Sequence, residues 1–175
     1  ASALKKKHKD AQIYFTTGIP EVLEDHPHLK QVTKNTDDLS SRLFQVRYNL
    51  DLAYEYRPKT NILTAYAEAV GVDPLDCELF IKTKEYRGLP KDYVVIHPGR
   101  TSWVGRDWQA KHFNEIAHRL QNQGITVVTV GTSGDHRIDA NMDLRGRTSI
   151  HETAWVIRNA KAFVGIDSFP MHIAQ

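Results

Sequence analysis

The feature that most constrains the fold is a series of three apolar, β-rich segments in the second half of the chain, separated by amphipathic ones. The β-rich segments are Tyr93–His97 (YVVIH), residues 125–130 (ITVVTV) and residues 162–166 (AFVGI). The middle segment is apolar or β-branched throughout, which is typical of a strand buried on both faces of a parallel sheet. Residues 108–122 and 150–159 repeat apolar side chains at helical spacing. This alternation predicts βαβ units, and therefore an α/β fold built on a parallel sheet.

The first half of the chain predicts the same alternation from weaker signals. Residues 11–16 and 31–34 are short strand candidates, and residues 43–52 (LFQVRYNLDL) are a third because of their apolar and aromatic content. Pro20 suits the first turn of a short helix. Residues 61–70 (NILTAYAEAV) repeat apolar side chains at helical spacing and are predicted to form a longer helix.

A change of composition indicates a domain boundary. Residues 72–90 contain two prolines and many charges around one further strand candidate, residues 78–82. We therefore predict the later part of an N-terminal domain over residues 1–72, a linker over residues 73–90 and a C-terminal domain over residues 91–175. The chain opens on a basic helix end and stops inside a predicted helix, so we expect both domains to be incomplete.

Composition excludes several classes of protein. The 175 residues are 41% hydrophobic and include no apolar run of the roughly 18 residues that cross a bilayer. A net charge of +2 is far below the basic excess typical of nucleic-acid binders. The single cysteine, Cys77, excludes an intrachain disulfide framework. The histidines at 26 and 28 have no carboxylate or cysteine at ligand spacing, so no metal site is predicted. These observations, with no apolar leader in the first ten residues, favour a cytoplasmic protein.

Three polar, glycine-bearing loops follow the three predicted strands, at residues 97–108, 131–137 and 167–172. Ligands of open parallel sheets bind at the carboxyl ends of the strands, so we expect these loops to share one edge. The first loop carries the hydroxyls of Thr101 and Ser102 and the guanidinium of Arg106. Hydroxyls, guanidinium groups and close backbone approach suit a diphosphate. The alternative is an ordinary surface loop with solvated arginines.

The other two loops leave alternatives open. Gly131 opens a loop that matches neither GxGxxG nor GxxxxGK(S/T), and its glycines could form a turn only. Asp167 or Ser168 is expected to cap a helix start that attracts anions, or to be a plain cap. His172, one turn into that helix, could donate to a phosphate or a ribose, or be satisfied by its neighbours. No Ser/His/Asp triad can be identified from the sequence, and no carboxylate is distinguished as a general base.

At these loops the sequence resembles glycosyltransferase family 9, the heptosyltransferases. The resemblance rests on HPG, RDW, FNEIAHRL, GITVVTVG, DLRGRTSIHETAWVI and GIDSFPMHIA in this order, and extends to PEVLEDHPHLKQV and NILTAYAEAVGV in the first half. It implies a GT-B-like fold of two Rossmann-like domains with parallel sheets. It also implies inverting transfer of heptose from ADP-heptose to a lipopolysaccharide-core acceptor. The implied partners are therefore a nucleotide-sugar donor and a glycolipid acceptor met by peripheral membrane contact at the inner face of the inner membrane, with no nucleic acid and no cofactor.

The resemblance also assigns residues. Arg106 stands where the family has a lysine two residues before a tryptophan, here Trp108, and that cation faces the donor diphosphate. Thr101 and Ser102 fall in the donor-binding loop, and Thr148 falls near the turn that contacts the nucleoside. Arginine in place of lysine keeps the charge but changes the geometry.

The last motif matches with one departure. Asp167 and Ser168 match the Asp-Ser/Thr pair that opens the last nucleotide-binding helix, and His172 matches its histidine. Phe169 replaces the usual glycine, which changes how closely the backbone can approach a phosphate. The family's catalytic aspartate is expected before residue 1, so the chain by itself is expected to be inactive. A nucleotide-sugar-binding module without transfer activity and a GT-B-like nucleotide-sugar epimerase are the alternatives.

Overall fold

The computed structural model describes residues 1–57, 59–76, 79–103, 105 and 107–175. The chain forms two compact units, Ala1–Phe80 and Ile81–Gln175. The division lies within residues 73–90, where the sequence analysis places a linker. The later part of that segment packs on the second unit, since the Lys84 N–H donates to the His151 carbonyl at 3.0 Å and the side chains of Tyr86 and Leu89 contact the core.

The first unit contains a two-stranded parallel sheet and little other regular structure. Strands β1 and β2 pair in register, with Phe15 opposite Val32. The elements are helix α1 (Ser2–Lys7), strand β1 (Tyr14–Thr16), strand β2 (Gln31–Thr33), helix α2 (Ile62–Ala69) and short 3₁₀ helices at Pro20–Leu23, Thr36–Leu39 and Pro74–Asp76. The Asn61 side chain caps α2 by accepting from the Leu63 N–H. The sequence therefore predicted both short strands and the longer helix of this half at their observed positions, with ends that differ by up to three residues.

Two predicted strands are wrong. Residues 43–52 form no strand: Leu43 is fully exposed and the aromatic ring of Phe44 lies instead against Tyr14 and the Arg47 guanidinium. Residues 79–82, the described part of the candidate at 78–82, also form none, and Leu79 is largely exposed. Apolar content alone does not make a strand, because a strand also needs a neighbour that pairs with its backbone.

The second unit is built on a four-stranded parallel sheet with the strand order β5-β4-β3-β6. The central strand β3 is buried along its whole length, and its Val95 lies between Val128 and Phe163. The strands are β3 (Tyr93–His97), β4 (Thr126–Thr129), β5 (Met142–Asp143) and β6 (Ala162–Gly165). The α/β fold with parallel sheets is therefore confirmed. Strand β5 was not predicted, because two residues carry no periodic signal.

Helices cover both faces of this sheet. Helix α3 (Ala110–Asn122) buries Phe113 and Ala117 against one face. Helix α4 (Ile150–Arg158) buries Val156 and Ile157 against the other. A capping box begins α4, in which Ser149 and Glu152 exchange side-chain and backbone hydrogen bonds. A short helix, α5 (Phe169–Ile173), follows β6 and ends the described elements.

Candidate functional site

The candidate site is the carboxyl edge of the second sheet. All four strands are parallel, so the loops that follow His97, Thr129, Asp143 and Gly165 emerge on the same side. This is the edge at which open α/β sheets bind ligands. The sequence predicted that the loops at residues 97–108, 131–137 and 167–172 would share it, and the topology confirms their placement.

His97, the last residue of β3, lies at the centre of this edge. Its side chain is 7% exposed, and its Nε2 lies 3.5 Å from Asp135 Oδ2 in the loop after β4. Its Nδ1 lies 3.1 Å from the Ser168 hydroxyl, which begins α5. The same hydroxyl is within 3.2 Å of the Ile166 carbonyl, to which it can donate. The imidazole thus joins the loops of the two strands on either side of β3.

Three glycines leave room for this imidazole. A Cβ on Gly99 would lie 2.5 Å from His97 Cε1, and one on Gly165 would lie 3.1 Å from His97 Cβ. Gly131 has φ +130°, and a Cβ there would overlap Asp135 Oδ2 and lie 2.9 Å from His97 Cδ2. Gly99 is crowded by Ile166 as well as His97, and Gly165 mainly by Phe163. Packing against His97 and Asp135 explains Gly131, which the sequence left as a turn glycine or a ligand-binding residue.

The burial of His97 has an electrostatic consequence. Desolvation lowers the pKa of its imidazole, although the neighbouring Asp135 carboxylate acts in the opposite direction. His97 is therefore neutral at pH values near 7, since its ordinary pKa is 6.5. A neutral imidazole carries one hydrogen, so one ring nitrogen donates and the other accepts.

The Asp135 carboxylate connects the first two loops. Its Oδ1 accepts from the Arg100 N–H at 3.1 Å, and its Oδ2 accepts from the Thr132 N–H at 2.6 Å and the Thr132 hydroxyl at 3.1 Å. Charge-assisted bonds of this kind are roughly twice as strong as neutral ones. Asp135 therefore fixes the backbone of both loops beside the imidazole.

A half-buried ion pair extends this network to β5. The Arg145 guanidinium forms a fork with Asp143, with Nε–Oδ1 at 2.9 Å and Nη2–Oδ2 at 2.7 Å, and it also donates to the Asp135 carbonyl at 2.7 Å. The Thr129 hydroxyl donates to Asp143 Oδ1 at 3.0 Å. Hydrogen bonds from Arg145 hold the pKa of Asp143 far below its ordinary value. Polar contacts thus run along the edge from β5 through β4 and β3 to β6.

A second link joins the first loop to the loop after β4. Asp107 Oδ1 accepts from the Thr101 N–H at 3.3 Å and lies 3.3 Å from His136 Nε2. The His136 N–H in turn donates to the Pro98 carbonyl at 3.0 Å. The first loop, with its candidate donor-binding hydroxyls, is therefore attached at two points to its neighbour.

The structure places the predicted site residues in different local roles. Ser102 is exposed in the first loop, whereas the Thr101 hydroxyl accepts from the Trp103 N–H at 3.2 Å. The Thr148 hydroxyl lies 2.8 Å from that of Thr153, at the turn that leads into α4. Arg106 lies outside the described residues.

The start of α5 differs in one respect from the prediction. Ser168 occupies the cap position, but its side chain makes no capping hydrogen bond because the hydroxyl faces His97 and the Ile166 carbonyl. Asp167 precedes it as an exposed residue, and His172 is exposed in the helix. The sequence therefore located this turn correctly but assigned the wrong partner to the serine.

Sequence reasoning missed three residues of the edge: His97, Asp135 and Arg145. Their partners lie far along the chain: His97 and Ser168 are 71 positions apart, and Arg100 and Asp135 are 35 positions apart. A single sequence gives no signal for such pairs. The exception is the Asp143–Arg145 fork, since opposite charges two residues apart directly after a strand are visible in the sequence.

The described residues contain neither a metal-binding cluster nor a membrane-spanning helix. Among them, no group of three or more His, Cys, Asp and Glu side chains could hold a metal ion. Within the same ranges, no helix combines the length and apolar character needed to cross a membrane.

Comparison with known proteins gives consistent matches. The profile of glycosyltransferase family 9 (heptosyltransferase) matches residues 27–175. Lipopolysaccharide heptosyltransferase 3 of Escherichia coli (strain K12) is 31% identical over 99 residues, a match that covers 50% of this chain and 28% of that protein. The matched segment therefore spans less than a third of that relative.

Solved structures share the fold at low sequence identity. The glycosyl transferase family 9 structure from Veillonella parvula DSM 2008 has a TM-score of 0.74 and 14% identity, covering 98% of this chain and 72% of that one. The heptosyltransferase TibC of enterotoxigenic E. coli, in complex with ADP-D-β-D-heptose, has a TM-score of 0.73 and 15% identity, covering 98% of this chain and 49% of that one. TibC contains iron; the described residues of this chain include no group of three or more His, Cys, Asp and Glu side chains that could hold a metal ion. These matches confirm the GT-B-like α/β fold.

Proposed function

Because the chain belongs to glycosyltransferase family 9, the heptosyltransferases, we propose that it transfers heptose from ADP-heptose to a lipopolysaccharide-core acceptor with inversion. The donor is supported by the ADP-heptose bound to TibC, and the acceptor by the name of the E. coli relative. A glycolipid acceptor would bring the protein to the inner face of the inner membrane by peripheral contact.

The observation that carries this proposal is the joined set of loops at the carboxyl edge of the second sheet. Asp135 and His97 tie three loops together before any ligand binds. A diphosphate is bound best by donors that are already fixed, because they need not reorganise as charge develops. We therefore assign donor binding to these loops and to the turn before α4, with the candidate residues Thr101, Ser102, Arg106, Gly131, Thr148, Asp167, Ser168 and His172.

The reaction would be a single displacement at the anomeric carbon. An acceptor hydroxyl attacks from the face opposite the diphosphate, a new carbon–oxygen bond forms, and the bond to the leaving ADP breaks. A carboxylate acts as the general base and takes the proton of the acceptor hydroxyl. We do not assign this base to any of the candidate donor-binding residues. The Arg106 guanidinium and the first turn of α5 would offset the negative charge that grows on the departing diphosphate.

Calorimetric titration with ADP tests the donor site. We expect Arg106→Ala to weaken ADP binding at least tenfold, since a charge-assisted contact to phosphate contributes about 1.5–3 kcal/mol. Arg158→Ala is the matched control, because Arg158 is exposed at the end of α4, which leads to the opposite edge of the sheet. Equal ADP affinities for the two variants would remove Arg106 from the donor site.

Product analysis tests the reaction. The protein is incubated with ADP-heptose, with and without a lipopolysaccharide-core acceptor. We expect a glycosylated acceptor with inverted anomeric configuration and ADP as the second product. Donor binding without glycosylated acceptor would support the binding-module alternative, and conversion of the donor sugar without acceptor would support the epimerase alternative.

A further inference from the structure

We propose that His97 is a positioning residue that holds Asp135 and Ser168 in a single arrangement across β3, and so fixes two of the loops to which donor binding is assigned. The inference rests on the proposed function for its consequence in ADP binding. The link itself rests on geometry alone: 3.5 Å from Nε2 to Asp135 and 3.1 Å from Nδ1 to Ser168.

The number of available hydrogens indicates which group donates and which accepts in each of these contacts. The Asp135 carboxylate is acceptor-only, so its approach to within 3.5 Å of Nε2 favours the tautomer with the imidazole hydrogen on that nitrogen. A neutral His97 with its hydrogen on Nε2 has a lone pair on Nδ1, which must accept. The Ser168 hydroxyl then donates its single hydrogen to Nδ1 at 3.1 Å rather than to the Ile166 carbonyl at 3.2 Å, and that hydrogen is not available to a ligand. The Ser168 hydroxyl therefore anchors the turn before α5 and donates no hydrogen bond to a phosphate.

The arrangement resembles a Ser/His/Asp triad in its residue types only. In a triad the serine bonds to Nε2 and the aspartate to Nδ1, whereas here the two nitrogens are exchanged. The backbone at Gly99 and Gly131 packs against the imidazole so closely that a Cβ would overlap it. The exchanged nitrogens and this close packing indicate a positioning role for His97.

Two loops depend on this one side chain. Asp135 orients the Arg100 and Thr132 N–H groups, and the bond from Ser168 to Nδ1 fixes the turn between β6 and α5. If His97 loses either partner, candidate ligand contacts on both sides of β3 shift. Positional errors of this kind weaken binding even where the contacting residues are unchanged.

Long-range ¹⁵N NMR spectra of the imidazoles test the link without any ligand. The chain has nine histidines, and His97→Gln identifies the signal of His97 by its loss. We expect His97 to be the neutral form with hydrogen on Nε2. Ser168→Ala should shift the Nδ1 resonance, and Asp135→Asn should change the population of the two neutral forms. Unchanged His97 resonances in both variants would overturn the proposal.

ADP titrations of a double-mutant set test the consequence. His97→Gln keeps a polar atom near the position of Nε2 and loses the contact to Ser168, so it should act like Ser168→Ala. We expect each single variant to weaken ADP binding about tenfold and the double variant to weaken it no further, because both remove one shared contact. An additive loss of about a hundredfold would overturn the coupling. His97→Asn is the complementary variant, since it preserves the contact to Ser168 and loses the one to Asp135.

Failure of the proposed function is distinguishable from failure of this inference. If the unsubstituted protein binds no ADP, the donor site is refuted, and the NMR result still decides whether His97 links the two loops. If His97→Gln does not fold, Ser168→Ala and Asp135→Asn retain the histidine, and the shifts of its resonances decide the proposal.

Discussion

Replacing Gly131 by alanine should destabilise the second unit more than any other glycine substitution compared below. Gly131 combines φ +130° with direct contact to Asp135 and His97. An alanine there meets two penalties: the backbone conformation is unfavourable for a side chain, and the methyl group overlaps neighbours that other contacts hold in place. Neither His97 nor Asp135 can move without loss of its own hydrogen bonds.

Two other glycines separate these penalties. Gly124 has φ +76° and no atom within 4 Å of an added Cβ, so Gly124→Ala measures backbone strain alone. Gly99 lies outside the positive-φ region, but its Cβ would lie 2.5 Å from His97 Cε1, so Gly99→Ala measures crowding alone. We expect a loss of about 1–2 kcal/mol for Gly124→Ala and about 1–3 kcal/mol for Gly99→Ala. Gly131→Ala should lose roughly their sum, about 2–5 kcal/mol.

Urea unfolding followed by tryptophan fluorescence measures these losses. The three tryptophans, at positions 103, 108 and 155, all belong to the second unit, so the signal reports its unfolding. Replacing glycine by alanine also lowers the conformational entropy of the unfolded chain, which stabilises every variant by up to about 1 kcal/mol. Because this gain is common to all three variants, the ranking of their stabilities is unchanged. If Gly131→Ala were no less stable than Gly124→Ala, the close packing around His97 would be refuted.

Three further substitutions test other contacts of the edge and of α4. Arg145→Lys should cost about 1–2 kcal/mol in the same assay, because lysine cannot form the fork with Asp143 and leaves this half-buried carboxylate with fewer charge-assisted hydrogen bonds. A loss below about 0.5 kcal/mol, of the order of a surface change, would contradict this. Ser149→Ala should cost about 1 kcal/mol, since it removes the capping box with Glu152, and Ser149→Thr should restore most of it. Burial lowers the pKa of His97 from 6.5, so the unfolded chain binds that proton more readily than the folded unit. The free energy of unfolding should therefore fall as the pH drops from about 7 to about 5; His97→Gln should flatten that part of the profile, and parallel slopes for the two proteins would contradict the assignment.

The periodic elements were predictable from the sequence because their signal is local. Strand β3 was predicted with its observed bounds, and β4, β6, α3 and α4 were predicted with ends that differ by one or two residues. Each carries a run of side chains that only one secondary structure can bury. Residues 43–52 lack that property: they are rich in apolar side chains, but no neighbouring strand pairs with them, and the sequence does not show whether such a partner exists.

The site was predictable to the level of loops but not of contacts. Parallel strands place their carboxyl ends together, so the alternation alone gathers the loops on one edge. Which side chains then meet depends on strand order and register. The strand order puts β3 between β4 and β6, and that position brings His97 between Asp135 and Ser168. Local sequence patterns do not encode that order.

The contacts also divide six of the eight candidate donor-binding residues into two groups. Gly131 accommodates His97, Ser168 donates to it, and the hydroxyls of Thr101 and Thr148 bond within their own turns. These residues shape the loops. Within the described part of the chain, no hydrogen bond or ion pair engages the exposed side chains of Ser102 and His172.

That division makes the second group the better candidates for direct ligand contact. A side chain that already satisfies a neighbour must break that bond to reach a ligand, at a cost of about 0.5–1.5 kcal/mol, whereas an exposed one exchanges only water. Substitutions in the first group should therefore lower stability and ADP affinity together. Ser102→Ala and His172→Ala should lower ADP affinity at unchanged stability. If Ser102→Ala or His172→Ala lowered the stability of the second unit, these side chains would make stabilising contacts and the division into two groups would be wrong.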